Sequence, residues 1–157
     1  MKSLLFRMFE PGDEAAFRQL NEAWIRQYFA IEPKDVEVLG DPARHILDHG
    51  GEIVMAIQDG KPMGCCALLA MPERSFEIGK MAVPEDCRGR GIGRGLLTRA
   101  IERGRERGAK RLYLETSTKL PNAIHLYESQ GFRHLPPERI QPSPYTRSDL
   151  FMEMFLE

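Results

Sequence analysis

The chain has 157 residues, of which 42% are hydrophobic and 29% charged, with a net charge of −1. That length suits one domain, residues 1–157, with room for a sizeable core, and the composition argues against a disordered or fibrous chain. No run approaches the ~20 apolar residues of a membrane span, and Met1 to Phe9 lacks the apolar core and cleavage site of a secretory signal, so the expected address is the cytoplasm.

Ser3 to Phe9 reads as a first strand, and Pro11-Gly12-Asp13 as a turn into a helix with Phe17, Leu20, Trp24 and Tyr28 near one face. A short helix is expected around Pro42 to Leu47, ended by Gly50-Gly51. Glu52 to Ile57, Met63 to Met71 and Phe76 to Val83 then follow as strands, the first two joined by a hairpin turn at Asp59-Gly60. Leu96, Leu97, Ala100 and Ile101 recur at helical spacing among arginines and glutamates, so an amphipathic helix comes next, closed by Gly108. Lys110 to Thr116 is a further strand, Pro121 to Gln130 a short helix capped by Gly131, and Leu150 to Leu156 a last strand. Several hairpin strands followed by strand, helix, strand, helix and strand describe an α+β or α/β sandwich with a mixed sheet.

Charge is unevenly distributed. The segment from Arg88 to Arg111 holds nine Lys or Arg against Glu102 and Glu106, whereas Glu10 to Asp59 holds eleven acids and four bases. A basic segment beside an acidic one suits a protein that brings a phosphorylated cofactor to a cationic amine. Cys65, Cys66 and Cys87 form neither a disulfide framework nor a C-x-x-C pair, and His45, His49, His125 and His134 have no metal spacing, so reduced thiols and no metal are expected.

The richest stretch is Arg88-Gly-Arg-Gly-Ile-Gly-Arg-Gly95, between the third hairpin strand and the amphipathic helix. Glycines let an anion approach the main chain, and the first N–H groups of a helix lack internal partners and sit at the positive end of its dipole. Arg88, Arg90 and Arg94 add mobile positive charge. A Walker loop would need Gly-Lys-Ser/Thr, which is missing, and G-x-G-x-x-G fails because Arg94 or Leu96 occupies the third glycine's place.

What fits is R-x-x-G-x-G, present as Arg88, Gly91 and Gly93, which resembles the pyrophosphate-binding motif of the GCN5-related N-acetyltransferases, the GNAT family. Leu112-Tyr-Leu-Glu115, followed by Leu126-Tyr127 and Gly131-Phe132, resembles that family's second hallmark, so the likeness covers about Phe76 to Phe132. It implies a mixed, mostly antiparallel central sheet flanked by helices, with acetyl-CoA held by Arg88, Gly89, Arg90, Gly91, Ile92, Gly93 and Arg94. It also implies main-chain contacts from Met81, Ala82 and Val83 to the acetyl carbonyl and pantetheine arm. The family often places Asn seven residues before the tyrosine; that position is Leu120 here, and Asn122 is the nearby alternative.

An attacking amine must lose a proton, the oxyanion needs a donor, and the leaving thiolate benefits from an acid. By resemblance Tyr127 is the acid, its phenol near pKa ~10 being able to protonate a thiolate near ~8.5. Glu115 and Glu77 are alternative bases, either acting through water. Trp24, Tyr28 and Glu32, with Tyr145 and Arg147 of the last loop, are expected over the acceptor: Arg147 would favour a carboxylated amine and Glu32 a polyamine. The expected activity is acetyl transfer from acetyl-CoA to a primary amine, on a small molecule or on a peptide N-terminus or lysine. A homodimer is consistent with it. The rivals are a CoA-sensing module without catalysis and a polyanion binder using the Arg-rich helix, the latter disfavoured by the lack of interleaved aromatics.

Overall fold

The structure is a computed structural model and describes residues 3–156; residues 1, 2 and 157 of the expected domain lie outside it. Seven strands form one sheet in the order β1-β2-β3-β4-β5-β7-β6. β1 (Leu4–Met8), β2 (Glu52–Gln58), β3 (Lys61–Met71) and β4 (Ser75–Ala82) run as an antiparallel series. β5 (Arg111–Thr116) lies parallel to β4, and β7 (Leu150–Phe155) is antiparallel both to β5 and to the two-residue β6 (Arg133–His134). No described helix is long and apolar enough to cross a membrane.

The centres of β2 and β3 are apolar and buried on both faces because both are covered. On one face α4 (Ile92–Glu106) and α5 (Pro121–Ser129) bury Val54, Leu68, Ile78 and Leu112 against Leu96, Leu97 and Tyr127. On the other, α1 (Glu14–Tyr28) and α2 (Pro33–Gly40) cover Ile53, Met55, Cys65 and Ala67. The expected elements are present within a few residues of the expected bounds. α2 and β6 were not anticipated, and the helix expected at Pro42 to Leu47 divides into α3 (Pro42–His45) and a 3-10 turn at Leu47–His49.

The buried stripe of α1 corrects the expected one. Phe17, Asn21 and Ile25, spaced four apart, are fully buried, whereas Tyr28 is 36% exposed and Leu20 and Trp24 lie at the flanks. An asparagine is tolerated there because its amide is satisfied: Nδ2 donates to the Phe17 carbonyl at 3.0 Å, and Oδ1 accepts from Trp24 Nε1 at 3.1 Å.

Two irregularities in β4 prepare the site. Its pairing with β5 runs only from Ser75↔Arg111 to Ile78↔Leu114, so the strands part over the rest of β4. On the β3 side, Cys65 faces Ala82 but Ala67 faces Gly79, which leaves one extra residue in β4 at Lys80 and Met81. Lys80 takes a left-handed φ of 48° there. The extra residue resets the alternation of side chains, as a β-bulge does.

Candidate active site

The gap between β4 and β5 opens into a cleft of about 540 Å³ that extends to the N-terminus of α4 and to α5. One wall is the parted end of β4, with Gly79, Lys80, Met81 and Val83; the other is Glu115, Thr116 and Ser117. Ala82 is not among the lining residues, its side chain being packed in the α1 and α2 core. At the far end the chain turns through Gly89 and Gly91, both at φ 80°, and Gly91 is the N-cap of α4. A Cβ placed on either glycine would meet no atom within 4 Å, so the space before the helix is open. The N–H groups of Ile92, Gly93 and Arg94 precede the first bonded donor of the helix, the Gly95 N–H, which reaches the Gly91 carbonyl at 3.0 Å, and are left unpaired within the helix. This is a cradle for a phosphate.

The arginines of the loop differ. Arg88 and Arg94 line the cleft, Arg88 donating to the Tyr28 hydroxyl at 3.0 Å. Arg90 instead donates to Gln58 Oε1 and is not among the lining residues. Gly95 serves packing, because a Cβ there would sit 2.2 Å from Phe6 Cζ, and its absence lets α4 lie on β1. Asn122 and Leu120 both line the cleft.

Tyr127 lines the cleft from α5, 8% exposed, its ring packed edge-on against Phe132 at 6.2 Å. Burial pushes its phenol above the ordinary value, which keeps it protonated. Glu115 lines the opposite wall and accepts hydroxyl hydrogen bonds from Tyr113, at 2.9 Å, and from Ser143. Glu77 lies outside the lining set, on β4 opposite Tyr113. Burial first, and then the negative charge of Glu115, push it up to about 7. Among the described residues neither carboxylate makes an ion pair.

The wall expected to face the acceptor joins distant segments. Trp24, Tyr28 and Arg147 line the cleft, whereas Glu32 and Tyr145 do not. Arg147 donates to Asp35 through both terminal nitrogens, at 2.8 and 2.7 Å, and its guanidinium lies 4.4 Å from the Tyr145 ring centre and 5.7 Å from that of Trp24. Glu32 accepts from the Thr146 N–H at 2.9 Å and from Arg147 at 3.4 Å.

Two residues here escaped the sequence reading. Lys80, its side chain 6% exposed, donates to Asp35 at 2.8 Å and to the Tyr145 hydroxyl at 2.9 Å. Asp35, wholly buried, also accepts from the Glu32 N–H at 2.9 Å. Burial alone would raise Asp35, but hydrogen bonds from Arg147 and Lys80 outweigh it and hold the carboxyl at about 2. Lys80 is lowered overall, because burial outweighs the pull of Asp35. The available signals were Glu32-Pro-Lys-Asp35, an acid before a helix-starting proline with another acid three places on, and a lysine interrupting the apolar alternation of β4.

The thiols are poor nucleophiles. Cys65 is buried and pushed up to about 12, Cys66 higher still by burial, and Cys87, 3% exposed, is raised by burial and by Asp86.

Residues 15–132 match the model of the acetyltransferase (GNAT) family. A streptothricin acetyltransferase from Streptomyces lavendulae is 49% identical over 151 residues, covering 81% of this chain and 80% of that one. The Escherichia coli protein YjgM, an uncharacterized N-acetyltransferase, is 46% identical over 90 residues, which are 57% of this chain. The chain spans only about half the length of that relative, 50%. Among solved structures, a GNAT-family acetyltransferase from Staphylococcus aureus superposes with a TM-score of 0.89 at 20% identity, covering 99% of this chain and 100% of that one. The yncA structure from Salmonella typhimurium, solved with its cofactor acetyl-CoA, gives 0.74 at 21% identity, covering 99% and 95%.

The chain belongs to the GNAT acetyltransferase family, whose cofactor is acetyl-CoA, and the expected mixed, mostly antiparallel sheet flanked by helices is the one observed.

Proposed function

We propose that the chain transfers acetyl from acetyl-CoA to a primary amine that attacks the thioester directly. One observation carries the reading: a single cleft joins an open helix N-terminus, two parted strands and a buried, protonated tyrosine. When bound, acetyl-CoA supplies an activated acetyl group. The N–H groups of residues 92–94, with Arg88 and Arg94, would hold its phosphates, with Asn122 as a further polar group of the same cleft. Main-chain N–H groups of Met81 and Val83 would donate to the acetyl carbonyl, where negative charge develops, while that of Ala82 is turned to the Cys65 thiol. Glu115, or Glu77 beside it, would accept the amine's proton through water, and the Tyr127 hydroxyl would donate a proton to the departing sulfur. Cys87 lines the cleft, but burial and Asp86 raise its thiol and keep it protonated, which favours direct attack over a thiol intermediate.

The Arg-rich helix favours this reading over a polyanion surface. Arg103 and Arg107 are held by Glu52 at 2.7 and 2.6 Å, and Arg99 by Glu106 at 3.0 Å, so much of that charge is already neutralised.

A ligand at a hundred times its dissociation constant stabilises a fold by ~2.7 kcal/mol, within reach of a melting curve. Acetyl-CoA and CoA should raise the melting temperature where NAD and ATP at equal concentration do not, and thiol release should follow addition of a primary amine. Equal shifts from all four ligands would mean a generic anion site. Stabilisation by acetyl-CoA without release, across a broad amine panel, would make the chain a CoA-binding module.

A further inference from the structure

Four charged side chains meet behind the acceptor end of the cleft: Glu32, Asp35, Lys80 and Arg147. Two are negative and two positive. Asp35 is at the centre, with no exposed surface of its own, and it engages both cations at 2.7–2.8 Å. Lys80 and Arg147 are the members that reach the cleft. The guanidinium face is covered by Tyr145 and Trp24, and the Lys80 ammonium is shared with the Tyr145 hydroxyl. Lys119 also lines the cleft, but it is solvent-exposed and set over the Phe29 ring at 5.5 Å, where its charge is screened. Glu115 faces the same space.

We propose that Asp35 determines acceptor specificity: by engaging both cations of the inner wall, it leaves none free to capture a carboxylate, and the pocket selects amines without one. This rests on the acetyltransferase reading and names the class of its acceptor. It also replaces the expectation that Arg147 would seize an acceptor carboxylate, because the donors needed for a bidentate contact are already turned to Asp35. Asp35 touches neither substrate. It acts through the charge balance of Lys80 and Arg147, and discrimination between acceptors is a difference in their binding that one unbalanced charge can shift.

The test compares n-butylamine with 4-aminobutanoate, which share an amine and a similar chain and differ in the carboxylate. Wild type should favour butylamine in kcat/KM. Asp35→Asn leaves the wall one charge more positive and should move the ratio toward 4-aminobutanoate by roughly tenfold or more. The double variant Asp35→Asn/Lys80→Met restores the balance and should return the ratio toward wild type. Lys80→Met alone makes the wall more negative and should move the ratio the opposite way, a result that does not depend on Asp35→Asn folding.

A merely structural role would lower both rates together and leave the ratio in place. Ratios unmoved in Asp35→Asn and Lys80→Met, with turnover retained, would overturn the specificity role alone. Absence of turnover on every amine by wild type that acetyl-CoA stabilises would overturn the acetyltransferase reading and this role with it.

Discussion

The two halves of the cleft are built from different materials. The half proposed for the cofactor is made of main chain: glycines with left-handed backbone, the free N–H groups of one helix, and a strand that has parted from its neighbour. Its arginines are exposed and loosely engaged. The half proposed for the acceptor is made largely of buried side chains drawn from α1, α2, β4 and the loop before β7, tied by short charged hydrogen bonds. A phosphate chain asks only for N–H groups and space, which contiguous residues provide. Choosing among amines asks for placed charges, and those come from segments more than a hundred residues apart, as Asp35 and Arg147 do.

The comparison breaks most visibly at the chemistry, which belongs to neither half. Tyr127→Phe keeps the ring against Phe132 and deletes only the hydroxyl, so acetyl-CoA affinity and melting temperature should stay near wild type. Turnover should fall by ~10²- to 10⁴-fold, chiefly in kcat. Early melting with undiminished turnover would make Tyr127 a packing residue.

Next comes the buried cluster. Asp35→Ala leaves Lys80 without its carboxylate and Arg147 with Glu32 alone, and breaking a buried pair in this way costs about 3–5 kcal/mol. At about 2–4 °C per kcal/mol for a domain of this size, the loss should be plain in thermal unfolding, whereas Arg88→Ala in the cofactor half should barely move the transition. Equal losses would erase the distinction between the halves.

Gly91→Val is a smaller test. A branched residue at φ 80° is strained by about 1–2 kcal/mol, and its side chain enters the space before the helix. Acetyl-CoA affinity measured by calorimetry should fall about tenfold or more, with butylamine KM little changed. Full affinity in a folded variant would move the phosphates elsewhere.

The smallest effect is one of pH. Glu77 titrates at about 7 instead of 4.5, so the folded state holds its proton more tightly than the unfolded chain does. Wild type should therefore lose stability as pH rises from about 4.5 to about 7, and level off above. Glu77→Gln should remove that slope and melt above wild type at pH 8, relative to their difference at pH 4. Parallel melting curves across that range would contradict the burial of a charge there.

How much of this could be read from the sequence follows the same division. The strand order, the helix after the glycines and the R-x-x-G-x-G loop are local patterns, legible because alternation, helical spacing and glycine all act over a few residues. The bulge in β4 was hidden: strict alternation would have placed Lys80 in the core beside Phe76 and Ile78, and the extra residue turns it to the other face. Asp35 was hidden because its partners are remote in sequence, and its helix carries only Val38 and Leu39 as buried apolar residues, too few for a periodic signal. The stripe of α1 was misplaced because a buried asparagine sits where an apolar residue was sought.

Amide hydrogen exchange with and without acetyl-CoA tests most directly whether main chain holds the cofactor. Protection should rise at residues 79–83 and 89–95, the parted strand and the helix mouth, and stay unchanged at residues 33–40 of α2. Protection confined to the outer face of α4 around Arg99 to Arg107, or none at the helix mouth, would contradict it.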